Sequence, residues 1–225
     1  MLTNRIPAFA APPALSNNTP MNVRKKAQPT DPRVLRSRQA LGDALVDLLH
    51  EQRFDDITVQ DILDRAGVGR ATFYAHYRNK EDVLHSGLEH LFVFLGGALA
   101  RSSSAATRLV PVSEFLEHIG EADVFIASLR ASGRLDEMSE LTLAFVADMI
   151  KRRIAPSDGA IATMSPALLS RMLAAAFMEM FRWWIEQPAR ETPQRMDAIF
   201  HALATTILHK SRYVVAPAPR GAWSG

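Results

Sequence analysis

Residues 57–82, Ile-Thr-Val-Gln-Asp-Ile-Leu-Asp-Arg-Ala-Gly-Val-Gly-Arg-Ala-Thr-Phe-Tyr-Ala-His-Tyr-Arg-Asn-Lys-Glu-Asp, constrain the fold more than any other stretch of the chain. Thr58 with Asp61 three residues on has the form of a capping box, so a helix starts there. Val59, Ile62, Leu63 and Ala66 then repeat at helical spacing on one face. Gly67 stands where that helix must stop, because glycine enters the left-handed region without steric cost. Val68 plugs the turn. A second short helix is predicted from about Arg70 to Tyr77, with Phe73 and Tyr77 four apart and facing inward. Asn79, with Asp82 three residues later, caps a third, longer helix.

Two short helices joined by a tight glycine turn form the unit that lays a helix in the major groove of DNA. Packing Phe73 and Tyr77 inward leaves Arg70, Thr72, Tyr74 and His76 outside. That set is basic, hydroxylic and aromatic, and it suits phosphate and base-edge contacts. Lys80 lies in the first turn of the next helix, beside free backbone N–H groups that attract phosphate.

Thr58, Ile62, Ala66-Gly67-Val68, Thr72-Phe73-Tyr74, His76-Tyr77 and Lys80-Glu81 together resemble the DNA-binding signature of the tetracycline-repressor (TetR) family of bacterial regulators. The close resemblance covers roughly residues 33–90; beyond it, only helix pattern and length are similar. Gly69 departs from the pattern, since the family often carries serine there as N-cap. The resemblance implies a ligand-responsive transcriptional regulator, a repressor released from double-stranded operator DNA by a small molecule. The DNA-binding set expected on this basis is Arg36, Arg38, Thr58, Gln60, Arg70, Ala71, Thr72, Tyr74, His76 and Lys80.

The net charge is only +2 but is unevenly spread. Residues 1–38 hold seven Arg and Lys against Asp31 alone, which is +6 and leaves −4 for the remainder. A basic arm ahead of a helix-turn-helix suits phosphate or minor-groove contact; the other reading is a solvated tail. The chain has no cysteine, so no disulfide or thiolate site is available, which fits a cytoplasmic protein. No apolar run reaches transmembrane length on inspection, and Pro7, Pro12 and Pro13 interrupt the early apolar stretch.

The pattern predicts an all-α chain of about nine helices. Residues 1–30 read as a disordered arm, 31–79 as a three-helix helix-turn-helix domain and 80–101 as a connecting helix. Residues 102–213 read as a larger ligand-binding and dimerisation domain and 214–225 as a loose tail. Asp31-Pro32 opens the first helix, with Val34, Leu41, Leu45, Leu48 and Leu49 inward and Phe54 and Ile57 anchoring the loop after it. An amphipathic helix from Ser113 to about Arg130 is broken near Gly120, and another runs from about Leu135 to Ile154. Ser165-Pro166 and Thr192-Pro193 start the last two long helices, at about 166–186 and 193–212.

The resemblance implies a small-molecule pocket within the second domain, for an apolar or aromatic effector. The ligand set expected is Phe94, Phe115, His118, Phe125, Phe145, Met149, Phe177, Met178 and Arg182. Each of these residues is, taken singly, ordinary core. The last two helices carry stripes at Met172, Ala176 and Trp183 and at Ile199, Leu203 and Thr206; the resemblance implies that they pair with their copies in a homodimer. Of the adjacent Trp183 and Trp184, one faces the core and the other an interface.

Neither a nucleophile elbow, a phosphate-cradling loop nor a His-Glu-x-x-His run occurs, so no enzyme, metal or cofactor is expected. His85 and Glu89 stand four apart on one helix with His90 adjacent, and two ligands on one helix are not a site without a third donor nearby. The competing reading is an all-α small-molecule binding protein or enzyme whose helix-turn-helix is only structural. The exposed set on the second short helix separates the two, because a structural helix pair does not need it.

Overall fold

A computed structural model describes residues 32–101, 106–120, 123–157 and 162–216. The basic arm, the Asp31 cap and the end of the loose tail lie outside the described residues. The chain divides into two compact units, with the boundary between Phe94 and Leu95.

In the first unit α1 (Pro32–Glu51) leads through a 3-10 turn (Phe54–Asp56) to α2 (Val59–Ala66), α3 (Arg70–His76) and α4 (Lys80–Arg101). Leu41, Leu45, Leu48 and Leu49 of α1 are buried with Phe54, Ile57, Ile62, Leu63, Phe73 and Tyr77. Val34, expected inward, is only half-buried, because it lies in the first turn ahead of the packed part of α1. The start of α4 is fixed by Asn79, whose Oδ1 accepts from the Asp82 amide at 2.9 Å.

By length and composition α4 is able to cross a membrane, with a mean hydropathy of 1.4 over its most apolar window. This corrects the inspection of the sequence. Yet 56% of that window is buried in the protein, the pattern of a core helix.

The second unit contains α5 (Val112–Gly120), α6 (Asp123–Ala131), α7 (Leu135–Arg153), α8 (Pro166–Glu186) and α9 (Pro193–Lys210). Gly120 ends α5 close against Trp184, where a Cβ would meet the ring at 3.4 Å. Gly133 ends the next turn in the left-handed region, at φ +65°. Ser165 and Thr192 cap α8 and α9, each side chain accepting from an amide three residues on at 3.2 Å. Helix α7 packs along α8, and α5 lies on α9.

The helices are as expected, but the unit also holds a small ribbon. Strand β1 (Ile154–Pro156) pairs antiparallel with β2 (Tyr213–Val215), placing Ala155 opposite Val214. It joins the end of α7 to the segment after α9. Further bonds from Ser157 N to Arg212 O (2.9 Å) and from Ala216 N to Arg153 O (2.7 Å) extend it, and the Tyr213 hydroxyl donates to Met164 O at 2.8 Å. Three residues per strand are too few for an alternation to show in sequence. The ribbon also puts Tyr213 in the core, where the helix expected to about 212 has already ended.

A polar knot sits beneath α5 and α9. Arg108 donates to both Glu114 carboxylate oxygens at 2.8 and 2.6 Å, to Ser113 Oγ at 3.0 Å and to Asp197 Oδ1 at 2.5 Å. His201 Nδ1 lies 2.8 Å from Asp197 O and 3.2 Å from Asp197 Oδ2, while its Nε2 accepts from the Leu109 amide at 3.0 Å. The backbone bond fixes the tautomer: Nε2 keeps its lone pair and Nδ1 carries the proton. Arg153 closes the set by donating to Arg108 O at 2.8 Å.

Candidate nucleic-acid interface

The helix-turn-helix is held by its own backbone chemistry. Thr58 and Asp61 form the expected capping box: Thr58 N donates to Asp61 Oδ2 at 2.7 Å, and Asp61 N donates to Thr58 Oγ1 at 3.2 Å. Those Thr58 hydrogen bonds, from side chain and backbone, hold the Asp61 carboxyl below its usual range. Gly67 caps α2 at φ +63°, and the Val68 amide returns to Leu63 O at 3.2 Å. Gly69 serves as N-cap of α3 without a side-chain bond, and its carbonyl accepts from the Thr72 and Phe73 amides.

Phe73 and Tyr77 are buried, with ring centroids 5.8 Å apart, and they set how α3 rolls on the domain. The roll differs from the expected one. Arg70, Ala71, Tyr74 and Ala75 are exposed, while Thr72 and His76 are half-buried. At 100° per residue Ala71 and Ala75 lie opposite Phe73 and Tyr77, with Tyr74 on one flank and Thr72 and His76 on the other. Tyr74 is the large apolar side chain on this face, 52% exposed, with its ring edge-on to Phe73 at 5.2 Å. Across the turn, Arg70 donates to Gln60 Oε1 at 2.6 Å, and Gln60 Nε2 donates to Asp64 Oδ1 at 2.7 Å. Exposed side chains of α2 thus hold the Arg70 guanidinium over the surface.

Two side chains expected at DNA have partners within the domain. The Lys80 ammonium donates to Phe54 O, Asp55 O and Ile57 O at 2.6, 3.0 and 2.6 Å and lies 4.7 Å from the Phe54 ring centroid. All three of its donors close the end of the 3-10 turn ahead of α2. No local spacing links Lys80 to Phe54, so sequence reading missed the brace. Lys80→Met is expected to strip the ammonium from the part-buried Phe54 and Ile57 carbonyls, leaving Phe54 O only its bond from Ile57 N, and to cost about 1–3 kcal/mol. A calorimetric melt should fall by several degrees, while the salt dependence of DNA binding stays unchanged.

Arg38 is likewise turned inward. Its Nε lies 3.3 Å from the Tyr77 hydroxyl, and its Nη2 donates to Ser86 Oγ at 3.1 Å. Arg36 is exposed, with Nε donating to Pro32 O one turn back, and Thr58 is exposed as well.

In the second unit the expected ligand residues differ in setting. Phe115 packs edge-on to Phe177 and Phe181, both at 5.4 Å, and Phe177 meets Phe200 at 5.9 Å. These rings fill the core. Met149 and Met178 are buried, His118, Phe125 and Phe145 are half-buried, and Arg182 is exposed with Nη1 3.3 Å from Glu179. Phe94 is half-buried and falls in the first unit. Of the set, Met178 and Arg182 alone line a cleft of about 130 Å³, together with Arg130, Leu135, Ser139 and Phe181. That volume is below the roughly 300–1,000 Å³ of a usual ligand site.

The expected dimer stripes are at the surface. Met172, Trp183, Ile199 and Leu203 are 50%, 47%, 43% and 48% exposed, and Leu168 extends the α8 stripe at 52%. Thr206 is exposed and Ala176 half-buried. The neighbouring tryptophans divide cleanly: Trp184 is buried and donates Nε1 to Glu191 O at 2.7 Å, while Trp183 points outward.

Residues 41–86 match the family model described as bacterial regulatory proteins, tetR family. An uncharacterised HTH-type transcriptional regulator, YxbF of Bacillus subtilis strain 168, is 43% identical over 67 residues. That match spans 29% of this chain and 18% of the relative's length. A TetR-family regulator from Streptomyces coelicolor A3 superposes with a TM-score of 0.58 at 16% identity, over 80% of this chain and 99% of that one. The dihydroxyacetone kinase operon activator DhaS superposes with a TM-score of 0.56 at 18% identity, over 78% and 98% of the two chains. At these identities the two structures speak for the fold, and the family model and the regulator's sequence speak for the helix-turn-helix. With its capping box, left-handed Gly67 and outward Tyr74 on one scaffold, the segment 41–86 is a helix-turn-helix domain similar to those of the tetR family of bacterial regulatory proteins.

Proposed function

We propose that this protein is a sequence-specific duplex DNA-binding transcriptional regulator that acts in the cytoplasm as a homodimer and is released from its operator by a small apolar or aromatic molecule. The observation that carries the reading is the outward face of α3. Arg70, Ala71, Tyr74 and Ala75 are all exposed there, and two alanines let the helix backbone come close to a groove. A structural helix pair has no use for a guanidinium held outward by Gln60.

Within this reading Arg70 reads a base edge, as arginine does for guanine through O6 and N7. Tyr74, Thr58 and Arg36 meet phosphate and fix register. Thr72 and His76 act from the margin of the face. Lys80 and Arg38 serve the domain's internal geometry.

The exposed stripes of α8 and α9 support self-association, since Met172, Trp183, Ile199 and Leu203 make an apolar surface of the kind that proteins cover. A two-fold pair presents two copies of α3 to half-sites one DNA turn apart, ~34 Å. The effector reading rests on the half-buried Phe125 and Phe145 and on the cleft at Met178 and Arg182, which has to widen to admit a ligand.

Selection from a random duplex library is expected to enrich one motif with two-fold symmetry. Arg70→Ala should then relax the preference at one base pair of each half-site, by ~1–3 kcal/mol if the contact is bidentate. Enrichment of no motif defeats the reading. Relaxed preference at no position in the variant means that α3 does not read through Arg70.

A further inference from the structure

Arg38 was expected to contact DNA, and the structure gives it a different setting. It stands in α1, 39 residues before Tyr77 and 48 before Ser86, and its guanidinium meets both. Nε lies 3.3 Å from the Tyr77 hydroxyl, Nη2 donates to Ser86 Oγ at 3.1 Å, and the guanidinium carbon sits 5.8 Å from the Tyr77 ring centroid. The two hydroxyls lie 3.4 Å apart, so the three polar groups form a closed triangle. Tyr77 and Ser86 are 4% and 8% exposed, which keeps competing water from the triangle.

The corners belong to three elements. Tyr77 is the C-cap of α3, Ser86 lies in the second turn of α4, and Arg38 lies in α1. The reading helix has only seven residues, so its direction is set by how its ends are tied. Its start is fixed by Gly69 and the Phe73 anchor, and its end is fixed at Tyr77. A planar fork with several donors can hold two hydroxyls at once, which a point-charge ammonium on a flexible stem does poorly.

The geometry points to Arg38 as a positioning residue for DNA recognition: it locks the end of α3 to α1 and α4 and so sets the angle of the reading face, without itself touching DNA. This rests on the DNA-binding reading given above. Glu89 and His90 stand nearby on α4 and respond to the same cation. Burial raises the Glu89 carboxyl while Arg38 pulls it down, and burial with Arg38 lowers His90 to about 4, so the imidazole is neutral at physiological pH. Arg38 is therefore the charged group of a joint whose His90 carries none. Any tilt of α4 about this joint is delivered to α3 through Tyr77.

The test is a double-mutant cycle on DNA affinity, using the full chain and the duplex motif from the library selection. R38Q, S86A, the double variant and R38K are compared with the unmutated protein by fluorescence anisotropy at several salt concentrations. Far-UV circular dichroism first establishes that each is folded at the assay temperature. R38Q and S86A are each expected to weaken binding by about 3- to 30-fold with an unchanged salt slope. The double variant should be no weaker than the worse single one, because both break the same triangle. R38K should bind as poorly as R38Q, since it keeps the charge and loses the fork.

A phosphate contact gives the opposite pattern. R38K then binds normally, R38Q lowers the salt slope by about one unit, and S86A has no effect. That result overturns the inference, as does normal binding by every variant that folds. Failure of the unmutated protein to bind any duplex selectively overturns the functional reading, and the inference falls with it; the two failures are separated by the first titration.

Discussion

Replacing Arg108 with methionine is expected to lower the stability of the second unit by about 3–5 kcal/mol, the cost of breaking a buried ion pair from one side. Arg108, Asp197 and Glu114 have side chains 14%, 15% and 30% exposed, so water cannot replace the lost cation. Asp197 suffers most. Burial pushes its carboxyl up, and the His201 and Arg108 hydrogen bonds together hold it below its ordinary value. Glu114 is depressed in the same way, burial opposing and Arg108 prevailing.

Because both carboxyls are depressed in the folded protein, their contribution is present above the ordinary carboxylate range, roughly pH 4, and is lost as pH falls through the folded values. In the variant, burial acts without the cation and raises both groups, so acidification relieves strain instead of adding it. The gap between variant and parent in urea midpoint should therefore narrow as pH falls below about 5. A constant gap between pH 7 and pH 4 contradicts this account of the knot.

The second large effect is expected at Leu203. Leu203→Glu places a charge on an exposed apolar stripe that the functional reading covers with a second copy. The side chain is 48% exposed in the single chain, so the fold itself should tolerate the change. Sedimentation should show the variant as a monomer with an unaltered helical spectrum. Its affinity for the two-half-site duplex should drop by ~10²–10⁴-fold, because one half-site no longer tethers the other. A variant that still sediments as a dimer places the self-association surface elsewhere.

What the sequence told and withheld follows from the range of each interaction. Capping residues act within three or four positions. The Thr58–Asp61 box, the Asn79, Ser165 and Thr192 caps and the left-handed Gly67 therefore appear in the structure as the spacing predicts. Helical phase is a finer matter. Taking alternate residues of α3 as one face put Thr72 and His76 fully outside, where they are half-buried on its flank and Ala75 lies at the centre of the outward face.

Long-range polar contacts leave no periodic trace. Lys80 on the carbonyls of the 3-10 turn, Arg38 on Tyr77 and Ser86, and Arg108 on Asp197 span 23 to 89 residues. Read by type alone, Lys80 and Arg38 pass for phosphate ligands. The ribbon of Ile154–Pro156 and Tyr213–Val215 was invisible for a related reason, since each strand is shorter than one detectable alternation. Aromatic spacing on a helix does not distinguish a ring that lines a cavity from one that fills the core. Phe115 and Phe177 are of the second kind.

The central claim is that the outward face of α3 reads duplex DNA, and one titration tests it most directly. The affinity of the full chain for a duplex containing the region upstream of its own reading frame is measured by fluorescence anisotropy at several salt concentrations, beside a scrambled duplex of the same length. The account predicts that the two affinities differ by ~10³-fold or more at physiological salt, and that both fall steeply as salt rises. Equal affinity for the two duplexes, or a flat response to salt, contradicts it.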